Sequence, residues 1–415
     1  MSGIAVAGVR PRAIAPPSVQ ATASPLQASA EVFHGMEADL IPLPDWQHLL
    51  DRQRGTNVFQ SPDLLSIWSR HFTEGKDHLV TVVVRREGRA ILIWPLLVER
   101  VGLVRIARGA GAPIGQYDEV LLDPDADPAE ALTTAIAALV RAAGPDLIFL
   151  ERARADGALR NALGDVEPLA SAEGAPFADL SRGSAHLMAS LKSRVARQQR
   201  KRMRQFEQHG QRGFEVASEP EIAERWLSEA IVLKKEWLRR TGRFSRAFAR
   251  HETTDCLLEL ARSRARPESS PRVLISRLTL DDRTAAIEMG LCHRGVYHLY
   301  LGAFAPEFAK LGPGNVLTEK LMCWCAENGI ERFDMLAPRS RNKSEWQSGE
   351  VAVLDFAIPT TSLGRIYVEL VLRRLLPALR KTFYALPESV RSTLAGFALR
   401  KFGAPQAHPP AARGT

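Results

Sequence analysis

The stretch Lys310-Leu311-Gly312-Pro313-Gly314-Asn315-Val316-Leu317 joins two segments of different pattern. Residues 296–304 before it are aromatic and aliphatic, as in a strand, and the residues after it carry apolar side chains at helical spacing up to Asn328-Gly329. Glycine and proline allow a sharp turn, and the first turn of a helix adds unpaired N–H donors and a positive dipole end. A strand, a glycine-rich turn and a helix start often hold a phosphate. A helix start that binds nothing is the alternative, and the residues alone favour it.

Length and composition indicate a soluble globular protein with more than one domain. The 415 residues exceed one ordinary domain, and 45% hydrophobic and 25% charged residues are typical of globular chains. The sequence has no run of about 18 apolar residues that would predict a membrane span, and its N-terminus lacks the apolar core of a signal peptide. We therefore expect a cytoplasmic protein with disordered tails over residues 1–30 and 403–415.

The four cysteines, Cys256, Cys292, Cys323 and Cys325, do not form a metal-binding or disulfide pattern. Cys323 and Cys325 are two positions apart on a predicted helix, so their side chains point to different faces. Buried thiols in a reducing compartment are the simplest interpretation, and the sequence predicts no metal site.

One predicted helix over residues 183–210 supplies nearly all of the excess positive charge. The net charge is +8, and residues 191–204 alone hold seven basic residues and no acidic one. The basic residues are Lys192, Arg194, Arg197, Arg200, Lys201, Arg202 and Arg204. They could bind RNA phosphates or the acidic groups of a glycan or lipid, or form a solvated face over packed Leu187, Leu191 and Val195. We favour the solvated face, because no interleaved aromatic residues offer stacking to a single nucleic-acid strand.

Two successive parts of the chain share one order of predicted elements: helices, a meander of strands, a helix and a strand. We assign residues 31–180 to the first part and 181–360 to the second, followed by basic helices over 361–402. The last helices are amphipathic, so contact with a membrane surface is one interpretation. Packing of their apolar face on the domain is the favoured one.

The two parts differ where their last helix begins. The first such helix follows Asp123-Pro124-Asp125-Ala126-Asp127-Pro128, whose three carboxylates would repel a phosphate. The second follows Lys310 and Gly312-Pro313-Gly314, which bring a positive charge and bare backbone donors. If the protein binds a phosphorylated cofactor, electrostatics favour the second part.

This order of elements resembles the GNAT acyltransferase fold, in which a loop and a helix start hold the pyrophosphate of acyl-coenzyme A. More closely, the chain resembles the tandem-GNAT branch of cellulose-biosynthesis (CelD-type) acetyltransferases, and it is distantly similar to the Fem aminoacyltransferases. The resemblance spans about residues 33–401 and rests on dispersed segments. These are FQSPDLLSIW (59–68), Trp94-Pro95-Leu96, Gln116-Tyr117-Asp118-Glu119, residues 191–210, GPGNVL (312–317), Phe333-Asp334-Met335-Leu336 and Lys343-Ser344-Glu345-Trp346.

The resemblance implies a mixed α/β (α+β) fold with two GNAT-like domains in tandem, each a mostly antiparallel mixed sheet flanked by helices. It implies a degenerate first domain and an acyl-CoA site in the second, with acetyl-CoA or another acyl-CoA as donor and no metal. The backbone N–H groups of Gly312, Gly314, Asn315 and Val316 would bind the pyrophosphate, with added charge from Lys310.

Two positions depart from the CelD-type branch. That branch usually has Ser-Pro-Gly where this chain has Gly312-Pro313-Gly314, and an acidic residue where Ala305 stands. The backbone donors are unaffected, whereas position 305 lacks the side-chain acid of that branch.

Three residues are candidates for the chemistry. Asp334, at the carboxyl end of a strand, would orient or deprotonate an acceptor amine. Lys343 matches a lysine of the Fem enzymes that is thought to stabilise the developing oxyanion, and a cation beside that oxygen is physically sensible. Glu288, in the middle of a strand, is a candidate general base. The alternatives are a surface aspartate, a solvated loop lysine and a salt-bridged strand glutamate.

The sequence leaves three functions open. An acyl-CoA-dependent N- or O-acyltransferase would transfer its acyl group directly to a small-molecule or glycan acceptor in polysaccharide or cell-envelope metabolism. A Fem-like aminoacyl-tRNA-dependent transferase is the second, although the sequence lacks the long heptad run of a Fem coiled coil. A non-catalytic partner of a membrane polysaccharide synthase is the third. Nucleic acid is not an expected partner, whereas peripheral association with an inner-membrane synthesis complex is.

Overall fold

The computed structural model of the protein describes residues 28–35, 43–53, 58–73, 79–169, 173–263, 271–387 and 389–394. The predicted C-terminal tail, residues 403–415, lies outside the described residues, as does the N-terminal tail up to residue 27. Ser29 and Ala30, which the prediction placed in that tail, are instead the first residues of a strand.

The strands form one 13-stranded sheet. They are β1 (Ser29–His34), β2 (Leu79–Arg86), β3 (Arg89–Val101), β4 (Val104–Gly109), β5 (Leu121–Leu122), β6 (Leu147–Arg154), β7 (Glu173–Asp179), β8 (Arg212–Val216), β9 (Arg272–Leu280), β10 (Arg283–His293), β11 (Val296–Phe304), β12 (Arg332–Asp334) and β13 (Gly349–Pro359). Their order across the sheet is β1-β2-β3-β4-β6-β13-β7-β12-β11-β10-β9-β8, and β5 pairs with β3.

Helices cover both faces of this sheet. They are α1 (Leu43–Arg52), α2 (Pro62–Phe72), α3 (Pro128–Ala143), α4 (Ala158–Leu163), α5 (Ser184–Ser190), α6 (Ser193–Gln208), α7 (Pro220–Arg240), α8 (His251–Arg262), α9 (Pro313–Glu327), α10 (Arg341–Trp346), α11 (Ser362–Tyr367) and α12 (Leu376–Ala385). Short 3-10 segments span Val58–Gln60 and Pro306–Leu311, and π-helical turns over Val368–Leu375 join α11 to α12.

The two parts of the chain repeat one topology. In the first, β2, β3 and β4 form an antiparallel meander, α3 follows, and β6 lies parallel to β4. In the second, β9, β10 and β11 form the meander, α9 follows, and β12 lies parallel to β11. The predicted mixed α/β fold with two GNAT-like halves is thereby confirmed.

The halves exchange one strand each. β7, from the first part of the chain, pairs antiparallel with β12 of the second, and β13, from the second part, pairs antiparallel with β6 of the first. β7 and β13 also pair with each other, which closes the two meanders into one sheet. The predicted boundary between residues 180 and 181 therefore separates the two parts in sequence, but both parts contribute strands to one sheet.

Local signals set most helix starts. Ser61 is the N-cap of α2, with Pro62 in the first turn, and its side chain accepts a hydrogen bond from Leu64 N at 3.3 Å. The prediction of one helix over residues 183–210 was wrong. The chain is extended at Leu191 and Lys192, and Ser190 Oγ donates to Leu187 O at the end of α5.

Apolar packing places α6 beside the start of α9. Phe206 of α6 is fully buried in a cluster with Val316 and Leu317 of α9 and with Leu278 of β9. On the same face, Leu321 of α9 lies in the neighbouring cluster over β10 and β12. The position of the basic helix is therefore fixed by the same core that supports the 310–317 segment.

Candidate functional site

The 310–317 segment turns into α9 at Gly312. Gly312 adopts the left-handed conformation with φ 66°, which a residue without a Cβ reaches at no steric cost. Its N–H donates to Ala309 O at 3.2 Å, and the N–H groups of Asn315 and Val316 donate to Gly312 O at 3.1 and 3.4 Å. Within the described residues, Gly314 is thus the one predicted donor whose N–H has no backbone acceptor.

The space in front of this turn is open at Gly314. A Cβ built there meets no atom within 4 Å, whereas one at Gly312 lies 3.5 Å from Cδ and Nε of Arg202. Gly312 is therefore closely covered by the basic helix, and Gly314 is accessible.

A cleft of about 630 Å³ lies between α6, the 310–317 segment and the start of α10. Its lining residues are Arg194, Arg197, Gln198, Lys201, Arg202, Gln205, Ala309, Lys310, Leu311, Gly312, Asn315 and Arg341. Six of these are cations, and none of the described lining residues is acidic. The solvated-face interpretation of the basic helix is therefore incomplete, because one side of α6 is a wall of this cleft.

Most of these cations have no partner of opposite charge. Within the described part of the chain, Arg194, Arg197, Lys201, Lys310 and Arg341 form no ion pair with a carboxylate. Unpaired cations that converge on one concave surface create a strong positive potential there. The cleft is suited to a ligand that carries several negative charges.

Arg202 is the exception and has a structural contact. Its guanidinium donates from Nη1 to Glu345 Oε2 at 3.0 Å and to Gln199 Oε1 at 3.2 Å. Glu345 belongs to α10, so this half-buried ion pair ties the basic helix to the helix that carries Lys343.

The sheet has an opening between β11 and β12. β11 and β12 pair only from Val296–Arg332 to His298–Asp334, although β11 continues to Phe304. The strands separate beyond that point, and the chain after β12 turns away through Leu336, whose φ is 58°. Side chains at the ends of these strands and on α10 can therefore surround a ligand that enters between them.

Asp334 lies at this point but is fully buried, with 0% of its surface exposed. Its Oδ1 accepts from Tyr117 Oη at 2.9 Å and from Leu336 N at 2.8 Å, and its Oδ2 accepts from Arg154 Nη1 at 2.8 Å. The expectation of an aspartate that contacts an acceptor amine does not fit this geometry, because all three contacts are internal. Asp334 instead links the second half to Tyr117 and Arg154 of the first half through side-chain hydrogen bonds.

Tyr117 and Arg154 were not chosen from the sequence. The ring of Tyr117 packs under the Arg154 guanidinium at 5.1 Å, and Arg154 also donates to both carboxylate oxygens of Asp156 at 2.9 Å. Burial and the neighbouring Asp334 raise the pKa of Tyr117 well above its ordinary value, so its hydroxyl keeps its proton. Tyr117 lies in Gln116-Tyr117-Asp118-Glu119, one of the segments that carry the family resemblance. That resemblance was the sequence signal by which Tyr117 could have been chosen.

Lys343 is half-buried beside the opening. Its Nζ donates to Leu336 O at 2.9 Å and to Pro338 O at 3.0 Å, which leaves one of its three protons uncommitted. Burial is the main cause that lowers the pKa of Lys343 to about 8; the charge of Asp334 opposes it, and the charges of Lys234 and Arg152 add to it. The ammonium is thus held at the end of β12, at a pKa close to neutral pH.

Lys234 of α7 is a further cation at this opening that the sequence did not suggest. Its Nζ donates to Gly302 O at 3.4 Å, near the end of β11, and lies 4.7 Å from the centre of the Trp237 ring. Burial lowers the pKa of Lys234, and Arg243 adds to the effect.

Glu288 of β10 lies under α9 and not in the cleft. It is 3% exposed, and its carboxyl accepts from Thr318 Oγ1 at 3.1 Å and from Tyr297 Oη at 3.3 Å. Burial raises the pKa of Glu288 to about 7. Glu288 forms no ion pair within the described residues, so it is not the salt-bridged strand residue of the alternative interpretation. Its burial also leaves a substrate no access to the carboxyl, which argues against the role of general base.

The corresponding helix start of the first half, at α3, is capped by the side chain of Asp127. Asp127, the N-cap of α3, accepts from Glu130 N at 2.9 Å, and Arg52 pairs with Asp123 and Asp125. No anion would be attracted to this position.

Some classes of site are missing from the described ranges. No group of three or more His, Cys, Asp or Glu side chains among the described residues could hold a metal ion. No helix in those ranges is long and apolar enough to cross a membrane. Cys256, Cys292 and Cys325 are buried free thiols, and Cys323 is half-buried.

Comparisons with known proteins agree with this geometry. Residues 193–346 match the acetyltransferase (GNAT) domain family, and this range contains the basic helix, the 310–317 segment and Lys343. A comparison with curated protein sequences found no match.

Among the solved structures similar to this chain, FemX shows the same fold. The crystal structure of FemX has a TM-score of 0.53 and 13% identity, and the similarity covers 82% of this chain and 99% of FemX. A putative lysylphosphatidylglycerol synthetase C-terminal domain from Agrobacterium fabrum has a TM-score of 0.47 and 13% identity, with coverages of 79% and 94%. A tandem GNAT protein of the clavulanic acid biosynthesis pathway has a TM-score of 0.44 and 14% identity, with coverages of 80% and 99%. Residues 193–346 therefore match a GNAT acetyltransferase domain, and the protein is an acyltransferase.

Proposed function

We propose that the protein is an acyl-CoA-dependent N- or O-acyltransferase that transfers the acyl group directly from acetyl-CoA or a related thioester. The observation that carries the proposal is the set of five unpaired cations that line the cleft beside Gly312 and Asn315, at the start of α9. Coenzyme A carries its negative charges on a pyrophosphate and a 3′-phosphate, and the cleft offers opposite charge over a comparable extent.

Each wall of the cleft has a role in this proposal. The pyrophosphate lies at the start of α9, where Gly314 N–H and Lys310 bind it, with Gly312, Asn315 and Val316 shaping the turn. The basic side chains of α6 bind the remaining phosphate. Because the helix dipole adds a favourable field only within the first turn, these side chains supply most of the attraction.

The thioester then reaches the opening between β11 and β12. The acceptor nitrogen or oxygen attacks the carbonyl carbon, the bond to sulfur breaks, and the acceptor proton ends on the departing thiolate. Lys343 donates its free proton as a hydrogen bond to the carbonyl oxygen, where negative charge develops. Asp334 acts as a positioning residue for the turn that holds Lys343, and Glu288 supports the packing of α9 on β10.

The acceptor and its setting extend the proposal beyond the site. From the resemblance to the CelD-type branch, we place the acceptor among small molecules or glycans of polysaccharide and cell-envelope metabolism, on the cytoplasmic side of the membrane. N-acetyl transfer to an amino group is the reaction that the family match favours.

Incubation with acetyl-CoA and a panel of amino sugars, amino acids and hydroxyl-bearing glycans tests the proposal. We expect release of the coenzyme A thiol that depends on one acceptor class, and a product heavier by one acetyl group in mass spectrometry. Absence of any acceptor-dependent release, together with no calorimetric binding of acetyl-CoA, would show that the proposal is wrong.

A second candidate is an aminoacyl-tRNA-dependent transferase. The observation in its favour is that the basic surface continues past the cleft into a groove of about 300 Å³ lined by Arg197, Arg200, Lys201, Arg204, Gln205 and Gln208. A nucleic acid would use more cations than one coenzyme A needs. Steeply salt-dependent tRNA binding, lost in Arg200→Glu with Arg204→Glu, would support this candidate over the first.

A further inference from the structure

The C-terminal arm, residues 362–394, exposes an unusual amount of apolar surface. Nine of the fourteen large hydrophobic side chains that are exposed in the described residues belong to it. They are Leu363, Ile366, Leu370, Leu375, Leu376, Leu379, Tyr384, Val390 and Leu394. Soluble proteins seldom leave apolar side chains clustered in this way without a binding partner.

Only the beginning of the arm packs on the sheet. Gly364 approaches the backbone of Asp146 so closely that a Cβ would lie 1.8 Å from its oxygen, and Val368 and Leu372 are buried against β4 and β6. Beyond Leu372 the packing is interrupted: α12 has no buried residue, and the arm contacts the body of the protein again at Arg391 and Ser392, beside Gly242. The favoured expectation that the apolar face packs on the domain is thus correct for the first turns and wrong for the rest.

The polar residues of the arm are mostly basic. Residues 362–394 contain six basic residues and two acidic residues, Glu369 and Glu388, a net charge of +4. The basic residues are Arg365, Arg373, Arg374, Arg380, Lys381 and Arg391. Among the described residues of the arm, the ion pair between Arg373 and Glu369, at 3.4 Å, is the one between opposite charges.

We propose that the arm binds the surface of a lipid bilayer that contains anionic phospholipids. Helices that lie in a membrane interface bury leucines at the boundary of the acyl chains and keep arginine and lysine at the level of the headgroups. The arm has both components, because Leu375, Leu376 and Leu379 are exposed within two turns that also carry Arg380 and Lys381.

The charge of the arm selects this partner over a second copy of the chain. Two arms packed on each other would bring like charges of +4 together without compensating acids. An anionic leaflet instead attracts every exposed arginine and lysine that lies within about 10 Å of it. The arm adds a docking surface that is separate from the acyl-donor cleft and does not depend on the proposed reaction.

Co-sedimentation of the full chain with lipid vesicles tests the proposal. We expect binding to phosphatidylcholine vesicles that contain about one third phosphatidylglycerol and at least roughly tenfold weaker binding to phosphatidylcholine alone. Leu376→Asp with Leu379→Asp should reduce binding to the anionic vesicles by roughly tenfold or more, and Arg380→Glu with Lys381→Glu should do the same. The variants change exposed side chains, and their thermal unfolding and acetyl-CoA binding should match the wild type.

Matched substitutions outside the arm serve as controls. Leu103→Asp removes another exposed leucine, and Arg89→Glu with Arg100→Glu reverses two exposed charges in the first half. Both controls should bind anionic vesicles like the wild type. The proposal is wrong if the arm variants keep full binding, if the controls lose it equally, or if the wild type binds no vesicles. It is also wrong if the arm variants only convert a dimer into a monomer in analytical ultracentrifugation.

Discussion

The starts of α3 and α9 occupy equivalent places in the two halves, yet they have opposite electrostatics. Pro128 and Pro313 each occupy the first turn. In α3 the preceding residue is Asp127, whose carboxylate satisfies Glu130 N. In α9 the preceding residue is Gly312, which has no side chain to cap the helix.

This difference shows how one copy of a duplicated fold can lose an anion site and the other keep it. A carboxylate at the N-cap supplies from within the chain the negative charge that a helix start attracts. A glycine at the N-cap leaves that position open to an anionic ligand, and five unpaired cations line the cleft beside Gly312. We therefore assign the donor to the second half and propose that the first half is its structural partner.

The largest effect is expected for Lys343→Ala. Loss of a cation beside the developing oxyanion should reduce kcat by about 10²–10³-fold with little change in KM. The measurement is the rate of coenzyme A thiol release from acetyl-CoA with the acceptor found in the panel. Arg160→Ala on α4, which follows β6 as α10 follows β12, is the first-half control and should leave the rate unchanged. Equal rates in Lys343→Ala and wild type would remove Lys343 from the mechanism.

The pKa of Lys343 predicts the pH dependence of the same rate. The pKa is lowered to about 8 in the folded protein, so the ammonium is present below that pH and lost above it. We expect kcat to fall as the pH rises through about 8. In Lys343→Arg the guanidinium keeps its proton, so any remaining activity should lose this alkaline limb. An unchanged alkaline limb in Lys343→Arg would mean that another group titrates.

A smaller loss is expected when the basic wall is reversed. Arg197→Glu with Lys201→Glu should weaken acetyl-CoA binding by about 30-fold at low salt and by less at high salt, because exposed charges are screened. Isothermal titration calorimetry at two salt concentrations measures this. Arg89→Glu with Arg100→Glu gives the same change in net charge on the first half and should bind like the wild type. Equal losses of acetyl-CoA affinity in both variants would show that the change in net charge causes the effect, and not the position of the cations on α6.

The smallest effect is expected for Glu288, and it distinguishes a packing role of this residue from a catalytic role. Its folded pKa of about 7 lies above its ordinary value, so its stabilising neutral form is complete at low pH and is lost as the pH rises through 7. Glu288→Gln, which stays neutral, should raise the free energy of unfolding by about 1–2 kcal/mol at pH 8 and leave it nearly unchanged at about pH 4, below the ordinary pKa of a glutamate. Urea unfolding at both pH values measures this, with exposed Glu331→Gln as control. A collapse of kcat in a stable Glu288→Gln protein would restore Glu288 as a base.

The sequence was informative where structure is local. Ser61, Pro128 and Pro313 marked helix starts through their own conformational preferences, and the meanders followed from strand patterns and short turns. The strand exchange was not predictable from one sequence, because β7 and β13 carry no signal of which partner they pair with.

The site was predictable only in part for the same reason. Asp334 was recognised at a strand end, but its partners Tyr117 and Arg154 lie 217 and 180 positions earlier, so its burial was hidden. The basic residues of α6 were recognised as a cluster, but only the packing of Phe206 on Val316 shows that they face the 310–317 segment.

The central claim, that the second helix start binds the donor and the first does not, has a direct test. Gly314 and Ala129 occupy the same position after the helix-start proline, and both can accept a larger side chain because Gly314 faces open space and Ala129 is exposed. Calorimetric titration of acetyl-CoA into wild type, Gly314→Glu and Ala129→Glu should show binding about tenfold or more weaker in Gly314→Glu and unchanged in Ala129→Glu. Unchanged binding in Gly314→Glu, or an equal loss in Ala129→Glu, would contradict the account.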